Sequence, residues 1–328
     1  MTERDLYETV RASLAANYGI EGNLERLPGE NLNLLVTDTR NIKYVLKIVD
    51  EHMPPPVVAM EHAAMEHAVK AGFSLHLPRI IETRQGAIET GIQLHKNVLN
   101  RARLIEFLDG TGMSDLTDIS DNLLLDLGKT LAEFDQAMRD FEHPAAHRNH
   151  RWNLAQAEQH ESKVSLVEDL AKRQLLAWAF ALWQESKPRL TALPWQFIHG
   201  DAHDENVLVE AGRVSGLIDF GDCCFNPTVC ELAICMTYLM MRRDDSLHVA
   251  RLLTEGYQRL RSLSVAELDM VYPLVCARLA VSVCVANKRK TIDPDNPNWF
   301  GGEGAAWRML GQLQGIGPKP FGLALRAA

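Results

Sequence analysis

Phe197-Ile198-His199-Gly200-Asp201-Ala202-His203-Asp204-Glu205-Asn206-Val207-Leu208-Val209 is an apolar run that breaks into charged and polar residues and then resumes as an apolar strand. Shortly after it comes Leu217-Ile218-Asp219-Phe220-Gly221-Asp222, a second apolar segment ending on an acid, an aromatic and a glycine. Together they read as a strand, a polar loop, a hairpin and a second loop that opens on a carboxylate. Asp and Asn are also favoured in ordinary turns, so an acidic surface hairpin is the bland alternative. Two motifs in the right order, each on its expected element, argue against it.

A base, an amide oxygen and a carboxylate at this spacing are what phosphoryl transfer needs. Asp201 would orient and deprotonate an attacking hydroxyl, while Asn206 and Asp219 would hold magnesium against nucleotide phosphates. The Asp and Asn of the protein-kinase catalytic loop stand five positions apart, as Asp201 and Asn206 do. With His199-Gly200-Asp201 in place of the His-Arg-Asp of protein kinases, the chain resembles the aminoglycoside phosphotransferase and choline kinase superfamily. Within it the resemblance is greatest to the hydroxylysine kinase branch, and it runs from about Leu27 to about Leu310. It implies an α+β, bilobal, protein-kinase-like fold. A small antiparallel-sheet lobe with one main helix, residues 1–108, would bind nucleotide, and a larger mainly helical lobe, residues 109–328, would carry catalysis and the acceptor.

Composition fits that expectation. The 328 residues, 46% hydrophobic and 23% charged, suffice for a sizeable buried core. A formal charge of −9 argues against a nucleic-acid surface and suits a cationic or zwitterionic small molecule. The first residues lack a basic segment followed by an apolar core, and no uninterrupted apolar run reaches bilayer length. We expect no membrane partner and a cytoplasmic setting, with the six cysteines as buried thiols rather than disulfides or zinc ligands.

From the amino end, Leu6, Val10 and Leu14 predict a helix over 3–18. Residues 24–27 and 34–37 read as a strand pair whose turn, Pro28 to Asn33, lacks Gly-x-Gly-x-x-Gly. The resemblance places backbone N–H groups of this turn, helped by Asn31, over the nucleotide phosphates. Tyr44 to Val49 is a strand with one lysine, and Lys47 needs an anionic partner there. The kinase reading supplies the α/β-phosphates and a helix glutamate, for which Glu61 fits the family spacing better than Glu66. Residues 57–71 predict that helix, and 77–81 with 86–89 continue the sheet. Arg103 to Gly110 resembles the segment between lobes, with Ile105 as gatekeeper and the Glu106 carbonyl and Leu108 amide on the purine edge. The sequence leaves ATP and GTP equally open.

Further on, helices are predicted over 120–139 (capped by Asp118 or Ser120), 155–186, from Val229 through Met241, 245–261 and 265–287. Tyr272-Pro273 is expected to start a helical run through Arg278. A last helix holds Trp307 and Leu310, and the tail after Gly315 is expected to fray. Arg148, His150 and Arg151 are candidates to meet an acceptor carboxylate, with Trp152 packed on it. Solvated helix-end charges are the commoner use of such clusters. Glu231, His203 and Asp222 are expected to brace the site.

The reading is a magnesium-dependent kinase moving the γ-phosphoryl of ATP or GTP to a hydroxyl of an amino-alcohol or hydroxy amino acid. Hydroxylysine is the first choice, with choline, homoserine or an aminoglycoside as others. Asp204, Glu205 and Asp222 are candidates to attract the acceptor's ammonium. A catalytically silent nucleotide-binding regulator or scaffold is the alternative, and degenerate Lys, Asp or Asn positions would favour it. A protein kinase is disfavoured, because no Ala-Pro-Glu segment follows the Asp-Phe-Gly.

Overall fold

A computed structural model describes the chain at residues 2–27, 32–49, 53–95, 98–295, 300 and 302–328. It divides into two compact units, Met1–Glu66 with His76–Asp109, and His67–Leu75 with Gly110–Ala328.

In the first unit, α1 (Glu3–Tyr18) begins at a capping box between Thr2 and Asp5 and ends at Gly19, φ +68°. The sheet comprises β1 (Gly22–Arg26), β2 (Asn33–Asp38), β3 (Lys43–Ile48), β4 (Ile80–Ile81), β5 (Thr90–His95) and β6 (Val98–Glu106). It runs β1-β2-β3-β6-β4, with β5 also paired to β6, all antiparallel. Alternation along the strands sends Leu34, Val36, Leu46, Ile48, Ala102 and Leu104 into one core with Leu6, Val10 and Leu14 of α1. Each such buried leucine, isoleucine or valine contributes about 1.5–3 kcal/mol. The opposite face carries Lys47, whose cross-strand neighbours are Asn33 and Arg103. The helix α2 (Pro55–Lys70) places Glu61 beside Arg103. Residues 86–89 are turn rather than strand: the Thr83 side chain and backbone both engage Ala87, and pairing begins only at Thr90.

The second unit holds two small sheets. One orders β7 (Thr111–Gly112), β9 (Val207–Glu210) and β10 (Arg213–Leu217), and the other pairs β8 (Trp195–Ile198) with β11 (Cys224–Pro227). Around them lie α3 (Asp121–Ala137), α4 (Leu170–Ser186), α5 (Val229–Met240), α6 (Ser246–Gln258), α7 (Val265–Lys290), α8 (Glu303–Ile316) and α9 (Pro318–Arg326). Ser120, not Asp118, caps α3 through Leu123 N. The close packing of α3 on α6 needs two glycines. A Cβ on Gly128 would lie 2.2 Å from Leu253 O, and one on Gly256 2.1 Å from Leu125 O.

Three expectations are corrected here. The stretch 155–186 is not one helix: residues Leu154–Leu166 form tight 3-10 turns, and Asp169 then caps a separate α4 through Lys172 N. Trp183 and Phe180 are buried in α4, whereas Trp178 and Leu182 are half-buried. Pro273 starts nothing; it lies inside α7, which opens at Ser264 with a capping box to Glu267. The tail does not fray. Gly317 (φ +74°) turns the chain, Pro318 opens α9, and Phe321 and Leu325 are buried.

By length and composition α7 could cross a membrane, but its apolar stretch is buried within the unit. It is apolar all round because neighbours cover it all round. All six cysteines are buried.

Candidate active site

The two motifs converge because their strands are paired. β8 delivers His199-Gly200-Asp201, and β11, leaving the Asp219 loop, pairs with it at Ile198↔Cys224. The β9–β10 hairpin closes the other side, with Ile218 N donating to Asn206 O at 3.0 Å. Gly200 has φ +75°, and a Cβ there would lie 2.9 Å from Asp222 O, so the loop admits no side chain at this point.

Buried His199 ties the loops together. Asp201 N donates to its Nδ1, so Nε2 carries the proton and donates to Ile218 O at 3.1 Å. Burial holds this imidazole below its usual pKa, hence neutral, as that pattern requires. Glu231, in the first turn of α5, accepts from the N–H groups of His199 and Gly200. Its burial pushes the carboxyl up to about 7, against the pull of those two bonds.

Asp201 sits among cations. Its Oδ1 accepts from Arg278 Nη2 at 2.8 Å, and its Oδ2 accepts from Asn206 Nδ2 at 2.8 Å and lies 3.4 Å from His203 Nε2. Burial would raise this carboxyl, but His203 and then Arg278 outweigh it and hold it below the usual range. Burial disfavours the His203 cation too, yet Asp201 and Asp204 push His203 well above its ordinary value, and its ring stacks on Tyr238. Asn206 spends its amide N–H on Asp201, which leaves Oδ1 as the oxygen it can offer a metal. Asp219 has φ +62° and accepts from Gly221 N at 3.4 Å. A left-handed conformation at an aspartate is a local strain of the kind found at ligand-holding turns. Among the described residues no group of three or more His, Cys, Asp or Glu could hold a metal alone. Two protein ligands, with phosphates and water completing the shell, is the usual magnesium arrangement.

In the first unit Glu61 is 1% exposed and its carboxylate pairs with Arg103, the cross-strand neighbour of Lys47. Arg103 Nε and Nη1 and Glu61 Oε1 are buried without hydrogen-bond partners among the described residues. Glu106 ends the β3–β6 ladder opposite Tyr44 and its side chain pairs with Arg79; Leu108 is half-buried just beyond. Asn31 lies outside the described residues.

The acids expected to greet an ammonium are engaged. Asp204 is buried against Arg242 at 3.0 Å and His203, and Asp222 lies 3.4 Å from His150; Glu205 alone is exposed. Arg148 is equally committed, donating to Gly221 O and Cys223 O and so pinning the loop after Asp219. Trp152 stacks under Arg278, its ring centre 4.7 Å from the guanidinium carbon. Arg278 escaped the motif reading because it lies far from both motifs in sequence, and Arg103 because it was read only as the start of the inter-lobe strand. A lone arginine in the apolar run Val271 to Ala286 was the available signal for the first.

A family model described as "Phosphotransferase enzyme family" matches residues 23–263. The chain belongs to this phosphotransferase family. It is 24% identical over 301 residues to a hydroxylysine kinase of Mus musculus, covering 85% of this chain and 78% of that one. To a homoserine kinase of Chelativorans sp. it is 29% identical over 252 residues, covering 74% and 72%. An amicoumacin kinase solved with AMP-PNP, Ca2+ and Ami superposes with a TM-score of 0.72 at 15% identity, covering 95% and 96%. The phosphotransferase fold, mixed helix and antiparallel sheet, is therefore the one the two sequence motifs implied.

Proposed function

We propose that this phosphotransferase is a small-molecule kinase that moves the γ-phosphoryl of ATP or GTP to the hydroxyl of a hydroxy amino acid, hydroxylysine first and homoserine next. The observation that carries it is the meeting of Asp201, Asn206 and Asp219 on one strand-paired pair of loops. The names of the sequence relatives support a hydroxy amino acid over choline or an aminoglycoside. So does the engagement of Asp204 and Asp222 by basic side chains, which leaves little free acid for a purely cationic acceptor.

In this reading the acceptor oxygen bonds the γ-phosphorus while the bridge to the β-phosphate breaks, its electron pair going to the nucleoside diphosphate. Asp201 orients the hydroxyl and takes its proton as the new bond forms. A carboxylate flanked by two cations is a weak base, so orientation is its larger contribution. Asn206 and Asp219 would hold a divalent cation, taken as Mg2+, whose charge offsets that of the phosphate oxygens. Lys47 is assigned the neutralisation of phosphate charge. The orphaned N–H groups of Arg103 beside it are what an anionic group would satisfy. Residues 1–108 would form the nucleotide-binding lobe and 109–328 the catalytic one, in a cytoplasmic protein whose buried thiols stay reduced.

The test is a coupled nucleotide-turnover screen of ATP and GTP against hydroxylysine, homoserine, choline, ethanolamine and an aminoglycoside, with Asp201→Ala as control. Turnover that depends on a hydroxy amino acid and is lost in the control is expected. Nucleotide binding with no acceptor-dependent turnover would instead identify a silent regulator.

A further inference from the structure

α7 is an apolar core helix with one charge at its centre, and Arg278 there is 1% exposed. Burying a guanidinium is costly unless its donors are met. They are met by Tyr238 Oη from Nε at 3.3 Å, Trp152 O from Nη1 at 3.3 Å and Asp201 Oδ1 from Nη2 at 2.8 Å. The rings of Trp152 and Tyr238 flank it, 4.7 and 5.4 Å from the guanidinium carbon. Three elements far apart in sequence thus hold one cation, and the carboxylate it bonds is that of Asp201.

We propose that Arg278 is the positioning residue of the transfer, fixing the Asp201 carboxylate so that its remaining lone-pair direction meets the acceptor hydroxyl. Arg278 holds Oδ1 while Asn206 holds Oδ2, so the carboxylate cannot rotate about its Cβ–Cγ bond without breaking one of the two. Arg278 in turn cannot swing, because Tyr238 and Trp152 take its other donors. A lysine has no planar fork with which to span all three partners. Freed of this clamp the carboxylate would sample orientations unsuited to the hydroxyl. A misplacement of about 1 Å at a reacting group costs about 100-fold in rate. The inference rests on the kinase reading, since a silent regulator has no hydroxyl to position.

The experiment measures kcat, acceptor KM, nucleotide Kd by calorimetry and the melting midpoint for Arg278→Met and Arg278→Lys. Arg278→Met is also made in an Asp201→Asn background and read on its residual turnover. A positioning role predicts kcat down about 100-fold in Arg278→Met, with nucleotide Kd within about twofold. Arg278→Lys should fall between that variant and wild type. Arg278→Met should cost less than about threefold further once Asp201 is already asparagine, because residues acting as a unit do not add. Wild-type kcat in Arg278→Met, or the same factor lost in both backgrounds, overturns the proposal. If Arg278→Met does not fold, Arg278→Lys decides: a kcat at least about tenfold down with unchanged nucleotide Kd supports it, and wild-type kcat overturns it. Failure here is distinct from failure of the kinase reading, which would show as a wild-type protein inactive toward every acceptor.

Discussion

Glu231 shows at the scale of one residue how a buried acceptor is kept where it is needed. It is fully buried, yet its oxygen takes the two N–H groups that precede Asp201, so removing it would leave buried donors orphaned. Its carboxyl sits at about 7 in the fold against 4.5 ordinarily. Between those values the folded chain binds the proton that the unfolded chain releases. The stability from this group is therefore fully present below about pH 4.5 and is lost as pH rises through about 7. Glu231→Gln keeps an acceptor for both N–H groups without the titration. Its melting midpoint relative to wild type should climb steadily from pH 5 to pH 8; parallel curves would contradict the assignment. Asp219 and Gly200, both at positive φ, are the other residues where local backbone is bent to the site's needs.

Elements succeed here where neighbours confirm their signals. Helix α3 was legible from Leu124, Leu127, Leu131 and Phe134, which are all buried. The 3-10 turns before α4 were not, because Ala, Leu and Glu favour helix and only Asp169, a cap in mid-run, marks the break. The α3–α6 contact is likewise silent in the sequence, since a glycine in a helix announces nothing about what approaches it. Gly128→Ala should therefore lower the melting midpoint by several degrees, as its Cβ would meet backbone 2.2 Å away. Gly311→Ala, on the exposed side of α8 with nothing within 4 Å, should raise it slightly through helix propensity. Equal shifts in the two variants would mean that the close approach is not what the glycine serves.

Across the whole molecule, the candidate site was legible where its chemistry is local in sequence and obscure where it is not. His199 to Asp219 is a run of about twenty residues whose spacing alone implied paired loops. Glu61 was singled out from its spacing, but its pairing with Arg103 was not, because a cross-strand neighbour exists only once the register of β3 and β6 is known. Arg278 lies on the last long core helix and reaches Asp201 only through the folded second unit. The family match covers most of the chain, so the phosphotransferase assignment does not rest on one loop. The proposed chemistry does, however, hang on the oxygens of Asp201, Asn206 and Asp219 acting together. The most direct measurement is a magnesium titration of acceptor-dependent turnover for wild type and Asp219→Ala, with circular dichroism confirming the fold of both. The account predicts saturable, magnesium-dependent phosphorylation of the acceptor hydroxyl in wild type and a loss of about 1,000-fold or more in the variant. A folded Asp219→Ala protein that turns over within about tenfold of wild type would contradict it.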